Sequence, residues 1–360
     1  MNKHTPFIRL AKREDIARHS VWMIRAASFV AAILLGCLIF LSVDANPLTA
    51  YKTIISGALG NKNGIRQVVK YAIPLLGTAL ALAPCFKMRY WNIGAEGQIT
   101  MGALGASFFA LNYAAAMPAP ALLIVMCLAS ILGGMLWSVI PALFKARWGT
   151  NETLFTLMMN YIAIGIVGWL QGGPWEGKPG SQIIPLFDPK AVLPRLFGVH
   201  IGWIIVLLLT VVIYVYMNYT KQGYEIAVLG ESENTAVYAG MNVAAVTVRT
   251  AALSGGLCGL VGFMLASGTN QTMYSDIAGG AGFTAITVCW LAQLNPFAMI
   301  GISLLLAVLC KGASTIQTAL SIPASISDML TGIILLCMLG CEFFINYKMI
   351  FRSHAEKEAE

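Results

Sequence analysis

Apolar runs of roughly 20 residues recur along this chain, each broken by a short polar or glycine-rich interval, and that rhythm predicts a set of membrane helices. The runs fall at 22–43, 67–86, 92–113, 118–144, 151–171, 200–218, 246–267, 279–294, 296–317 and 326–346. Most are near the ~20 apolar residues that a helix needs to cross the hydrocarbon core of a bilayer. The pattern predicts an all-α polytopic integral membrane protein of about ten transmembrane helices. It divides the chain into a tail (1–21), a transmembrane domain (22–346) and a second tail (347–360). An even number of crossings puts both tails on one side. The first run is expected to be an uncleaved anchor. It is long for a signal-peptide core, and Asp44-Ala-Asn-Pro47 after it reads as a span exit instead of a small-x-small cleavage pattern.

Composition sharpens this picture. The chain is 58% hydrophobic and 11% charged, with mean hydropathy +0.74, whereas a soluble domain is about a quarter charged. The net charge of +7 reads as orientation. Fifteen Lys and Arg fall on the side of the two tails, seven on the other, and Lys311 within a run. By the positive-inside rule both termini are cytoplasmic, which suits a bacterial cytoplasmic (inner) membrane. The basic residues form no continuous face, so no nucleic-acid partner is expected. Residues 44–65 and 172–199 become outer loops, the second Pro- and Gly-rich and suited to cap the surface against an external partner. The eight cysteines lie in spans or at their edges and the four histidines are scattered. That argues against both a disulfide framework and a metal site.

Two stretches carry candidate chemistry. The first is 91–105, where Asn92, Glu96, Gln98 and Thr100 stand among four glycines inside an apolar context. Burying a carboxylate there is costly unless a partner or a water-filled cavity receives it. Asn92, Glu96, Gln98, Asn151, Glu152 and Asn160 are therefore candidates for a translocation pathway, because amides bind a polyol or a base without fixing a charge. Helix-to-helix hydrogen bonding is the competing role for each. Gly279, Gly280 and Gly282 suggest a second interrupted helix in the other half, and paired interruptions point to a pathway between them. Gly255-x-x-x-Gly259 reads as a close-packing pair.

The second stretch is the loop 219–248. Ser232 suits an N-cap, Glu233 the first turn, and Gly240 a left-handed stop. The result is a short capped helix, and Gly223, Gly230, Glu231, Ser232, Ala236 and Gly240 are its candidate coupling residues. No catalytic motif appears. The one P-loop-like run, Gly172 to Lys178, ends in Pro179 where a Ser or Thr is required.

Together these stretches resemble a known family. Asn-Ile-Gly-Ala-Glu-Gly-Gln (92–98), Gly-Thr-Asn-Glu-Thr-Leu-x-Thr-Leu-Met-Met-Asn-Tyr-Ile (149–162), the 223–240 loop and Gly-x-Gly-Phe-x-x-Ile-x-Val-x-x-Leu-x-x-x-Asn-Pro (280–296) are similar to permease subunits of ABC importers. The branch is the nucleoside and simple-sugar one of the branched-chain amino acid and ribose permease superfamily, of the type served by a basic lipoprotein. The sequence departs from the usual pattern at Ala227, where members carry Arg, and at Ser232-Glu233, where Asn-Pro is usual. The resemblance implies a non-enzymatic transport subunit with a cytoplasmic coupling helix, and the paired glycine interruptions suggest an internal pseudo-repeat. ATP and Mg would be used by a separate ABC ATPase, with no cofactor on this chain. It also implies a second paralogous permease or a second copy of this chain, and an external substrate-binding lipoprotein. The reading from residues alone leaves an ion-coupled carrier or channel using Glu96 or Glu152 as the alternative.

Overall fold

The computed structural model describes residues 8–12 and 18–351. In chain order its elements begin with β1 (Ile8–Lys12), α1 (Arg18–Ser42), α2 (Pro47–Leu59), α3 (Lys62–Lys87), α4 (Ala95–Asn112), α5 (Ala119–Trp148) and α6 (Glu152–Gln171). They continue with β2 (Arg195–Leu196), β3 (Val199–His200), α7 (Gly202–Tyr219), α8 (Lys221–Glu231), α9 (Glu233–Tyr238) and α10 (Val243–Phe263), then α11 (Ala281–Leu291), α12 (Pro296–Ala319), α13 (Ala324–Asn346) and β4 (Tyr347–Phe351). All ten apolar runs fall on helices. Six helices among the described residues are long and apolar enough to cross a membrane, or seven if the bent pair Ala26–Ser42 and Pro47–Leu59 counts as one span. α11 is too short to cross alone, since its 11 residues cover about 16 Å of a ~30 Å hydrocarbon core.

The chain divides into two compact units, Met1–Gly57 with Gly312–Glu360, and Ala58–Lys311. In the first, α1 packs on α13. β1 pairs antiparallel with β4, Ile8 opposite Phe351 and Lys12 opposite Tyr347, so parts of both expected tails lie side by side as a ribbon. Residues 1–7, 13–17 and 352–360 of those tails lie outside the described residues. The stretch 44–65, expected to be an outer loop, carries a helix instead. Asn46 Oδ1 accepts the Leu48 N–H at 3.0 Å and Pro47 opens the first turn, the position where its missing N–H costs nothing. Tyr51 then donates to the Ile33 carbonyl at 2.8 Å and meets Phe40 edge-on at 5.5 Å.

In the second unit α4, α5 and α10 pack on one another, and α3 lies against α10 and α11. Gly255 and Gly259 of α10 press on Gly134 and Ser130 of α5, the close approach that their spacing predicts. Ser130 and Ser138 donate to the Gly259 and Ala251 carbonyls across that contact. Helix burial separates centre from perimeter. The apolar window of α3 is 83% buried and that of α10 with its π-helical continuation 78%, against 22% for α5 and 28% for α6 and α7. The open face of α5 is a stripe of Ile124, Leu128, Leu132, Leu136 and Leu143, spaced for one side of a helix and suited to lipid tails.

Residues 172–199 fold back over the π-helical end of α10 (Met264–Asn270). Phe187 N–H bonds the Gln271 carbonyl at 2.8 Å and Leu193 N–H the Ser267 carbonyl at 3.2 Å, while Thr272 Oγ1 donates to Ile184 at 3.0 Å. His200 lies buried beneath. Its Nδ1 accepts the Gly202 N–H at 3.2 Å, which leaves the proton on Nε2, 3.1 Å from Thr269 Oγ1. Burial, followed by the charges of Lys70 and Arg195, brings the imidazole pKa down to about 4.

Candidate functional site

The polar stretch 91–105 begins in the loop after α3 and runs into α4. Every polar group expected to matter there has protein partners. Asn92 is fully buried; its Oδ1 accepts from Gly94 N at 3.1 Å and Gln98 Nε2 at 3.0 Å, and its Nδ2 donates to Gln98 Oε1 and Ser254 Oγ at 3.3 and 3.2 Å. Asn160 of α6 reaches across to the same loop. Its Oδ1 accepts the Gly97 N–H at 2.8 Å and its Nδ2 donates to the Ile93 carbonyl at 2.9 Å. Thr156, one turn earlier on α6, accepts the Ile93 N–H at 3.2 Å and donates to the Glu152 carbonyl at 2.7 Å. An unpaired buried donor or acceptor costs about 1–3 kcal/mol, so this network is what allows a polar loop to sit inside an apolar bundle.

Glu96 stands in the first turn of α4, 3% exposed. Its two carboxylate oxygens accept the backbone N–H groups of Gly280 and Gly282, each at 2.7 Å. Gly280 is the N-cap of α11, in the left-handed region at φ 76°. One carboxylate therefore lies at the positive ends of two helices, where negative charge is favoured. Gly282 is required by proximity: a Cβ there would lie 2.7 Å from Glu96 Oε2, 2.9 Å from its Cα and nearer still to its N. The stretches 91–105 and 279–295, linked from sequence only by their glycines, are joined directly by these two hydrogen bonds.

The remaining candidates gather elsewhere. Glu152 pairs with Lys145 at 2.9 Å and, with Arg89, Gly230, Glu231 and Ser232, lines a cavity of about 520 Å³. Asn151 is an exposed N-cap, its Oδ1 accepting Leu154 N–H at 3.1 Å. The loop 219–248 holds two short helices, where one was expected. Thr220 caps α8 by accepting Gly223 N–H at 3.1 Å, a Thr-x-x-Gly signal present in the sequence. Ser232 caps α9 at Thr235 N–H, 3.3 Å. After α9 the chain turns at Gly240, φ 74°, and Met241 N–H closes on the Ala236 carbonyl. Gly223 abuts the Tyr216 and Met217 carbonyls, and Gly230 sits on the Lys87 carbonyl with no space for a side chain. Ile226 of α8 is buried with Cys85, Met88, Tyr90, Ala142 and Val246. Tyr90, also on the 520 Å³ cavity, has a buried hydroxyl with no hydrogen-bond partner among the described residues. Burial pushes its pKa well above the usual phenol range. Trp91 is half-exposed and stacks on Trp290 at 5.5 Å, with Phe86 5.9 Å from each.

Comparison with known proteins covers most of the chain. A family model described as the permease component of branched-chain amino acid transport systems matches residues 64–339. The chain is 30% identical to a glucose ABC transporter permease protein of Haloferax volcanii, over 89% of this chain and 87% of that one. It is 26% identical to a guanosine ABC transporter permease protein of Bacillus subtilis, over 89% and 94%. A nucleoside ABC transporter permease protein of Lactococcus lactis is 27% identical, over 90% of each.

Proposed function

We propose a specific role for this chain, which belongs to the permease family of branched-chain amino acid transport systems: it is the membrane-spanning subunit of an ATP-driven importer of nucleosides, with simple sugars the nearest alternative cargo. The cargo reading is supported by the names of two nucleoside-related relatives and one glucose relative. In this reading α8 and α9 face the cytoplasm and meet a separate ABC ATPase, which uses ATP and Mg. The folded segment 172–199 meets an external binding lipoprotein, and a second permease, paralogous or identical, completes the pathway.

The observation that carries the proposal is the contact of α8 with the end of α3. Gly230 rests on the backbone of Lys87 and Met88, the residues that lead into the Asn92–Glu96 segment. Displacement of α8 by an ATPase would be passed through rigid backbone to the point where α4 and α11 meet. The polar groups of that segment frame the pathway and hold its geometry. The ion-coupled alternative needs an open carboxylate, yet Glu96 accepts two backbone N–H groups and Glu152 is paired with Lys145. The deciding experiment is uptake into vesicles. The chain reconstituted with its ATPase, partner permease and binding protein should import labelled nucleoside only with ATP. Uptake by this chain alone, driven by a proton or sodium gradient, would overturn the importer reading.

A further inference from the structure

A second cavity, of about 410 Å³, lies away from the one beneath α8 and α9. It is bounded by α3, by the π-helical end of α10 and by the turn that enters α11. Its polar and aromatic lining includes Gln67, Lys70, Tyr71, Asn270, Tyr274 and Thr284. Gly279 and Ala281 also line it, and between them lies Gly280, whose N–H is held by Glu96. The cavity is thus seated on the junction of α4 and α11 that the rest of the polar network keeps in place. Its volume falls within the roughly 300–1,000 Å³ typical of small-molecule sites, more than a single sugar ring fills.

The lining chemistry selects the ligand. Two phenol rings stand in one cavity, Tyr71 open to solvent and Tyr274 half-buried. Aromatic rings accept any planar heterocycle by stacking, with little regard to its edge pattern. The amides of Gln67 and Asn270 offer donors and acceptors of the kind that ribose hydroxyls need, and Thr284, whose own O–H goes to the Gly280 carbonyl at 3.0 Å, offers an acceptor. Among the described lining residues there is no carboxylate, and Lys70 adds a positive charge, so a cationic cargo is disfavoured. A free sugar would use the amides but would present only C–H faces to the rings, without the planar π system of a base.

We propose that this cavity is a transient cargo site for an uncharged nucleoside, its base against Tyr71 and Tyr274 and its ribose toward Gln67, Asn270 and Thr284. The proposal rests on the transport reading above and narrows its cargo. The test is photolabelling of the purified full chain in detergent with 8-azidoadenosine, the labelled peptides being identified by mass spectrometry. Label is expected on the peptides bearing Tyr71 and Tyr274, suppressed by excess adenosine and spared by excess ribose. Tyr274→Ala should lower the labelling about tenfold or more, as loss of a stacking ring does. Tyr274→Phe, which keeps the ring, should stay within about twofold, and a Tyr274→Ala protein that melts like wild type excludes misfolding as the cause of its loss. Label confined to other peptides, equal suppression by ribose, or an undiminished signal in Tyr274→Ala would overturn the site. The two readings fail distinguishably. ATP-dependent nucleoside uptake without label at Tyr71 or Tyr274 removes this site alone. Label there in a complex that imports no nucleoside removes the importer reading and the cargo role with it, leaving a cavity that binds nucleoside without carrying it.

Discussion

Replacing Glu96 tests the centre of the fold most directly. Its carboxylate makes two 2.7 Å bonds to the Gly280 and Gly282 N–H groups, and hydrogen bonds to a charged group are worth about 1.5–3 kcal/mol each. Glu96→Gln keeps one acceptor oxygen and turns an NH2 toward the other N–H, so it should cost about 1.5–3 kcal/mol. Glu96→Ala strands both N–H groups and should cost roughly twice that. Gly282→Ala attacks the same junction from the other side, because its methyl would meet Glu96 backbone that cannot swing away. The assay is thermal unfolding of detergent-purified protein alongside nucleoside uptake in cells at matched expression. Melting temperature should fall in the order wild type, Gln, Ala, and transport by Glu96→Gln should fall more than the amount of protein inserted. A Glu96→Ala protein as stable as wild type would refute the capping argument. A Glu96→Gln protein that fails to accumulate would mean that the junction is needed for the chain to fold, ahead of any part in transport.

Other sites give independent tests. Asn160→Ala removes the partners of Gly97 N–H and Ile93 carbonyl and should destabilise by about 2–3 kcal/mol, measured by the same melts, while Thr156→Val should cost less. Gly240→Val places a β-branched residue at φ 74° with no side-chain clash. The strain, about 1–3 kcal/mol, falls on the turn after α9, so the protein should insert normally but copurify with less ATPase. Unchanged copurification and transport would remove the docking role. His200 supplies a pH dependence. Its folded-state pKa of about 4 lies below the ordinary 6.5, so its stabilising contribution is complete above pH ~6.5 and drains away as pH falls toward 4, by up to roughly 3 kcal/mol. Melting curves from pH 7 to 4.5 should show that loss in wild type and a weaker one in His200→Gln.

Much of this arrangement is legible from residues alone, and the limit is physical. Long apolar runs mark helices because lipid and core impose the same demand on each, so all ten runs landed on helices. α2 is not evident in the apolar pattern because Thr49, Lys52, Ser56 and Gly57 dilute its run of Leu48, Tyr51, Ile54 and Ile55. Asn92, Glu96 and Gln98 stand out as polar groups in apolar surroundings, but a lone sequence shows a group's need for a partner without naming the partner. Ser254, 162 positions from Asn92, and Gly280, 184 from Glu96, carry only hydroxyl or backbone groups. Nothing in such ordinary residues marks them in advance. Local signals fared better. The Ser232 cap and the Gly240 stop depend on neighbours within a few positions, and both occur as expected.

The separation between Glu96 and its partners also bears on how the protein is made. α4 leaves the ribosome with a carboxylate whose hydrogen-bond donors belong to a segment still 184 residues from being synthesised. At elongation rates of about 5–20 residues per second, the gap lasts on the order of ten seconds or more. Throughout that interval Glu96 must stay hydrated or be sheltered by the insertion machinery. The junction of α4 with α11 cannot close around it until α11 arrives. The bond that locks the finished protein therefore also sets a late checkpoint in its biogenesis, and truncations that end before Gly280 should leave an exposed acid for quality-control proteases to find.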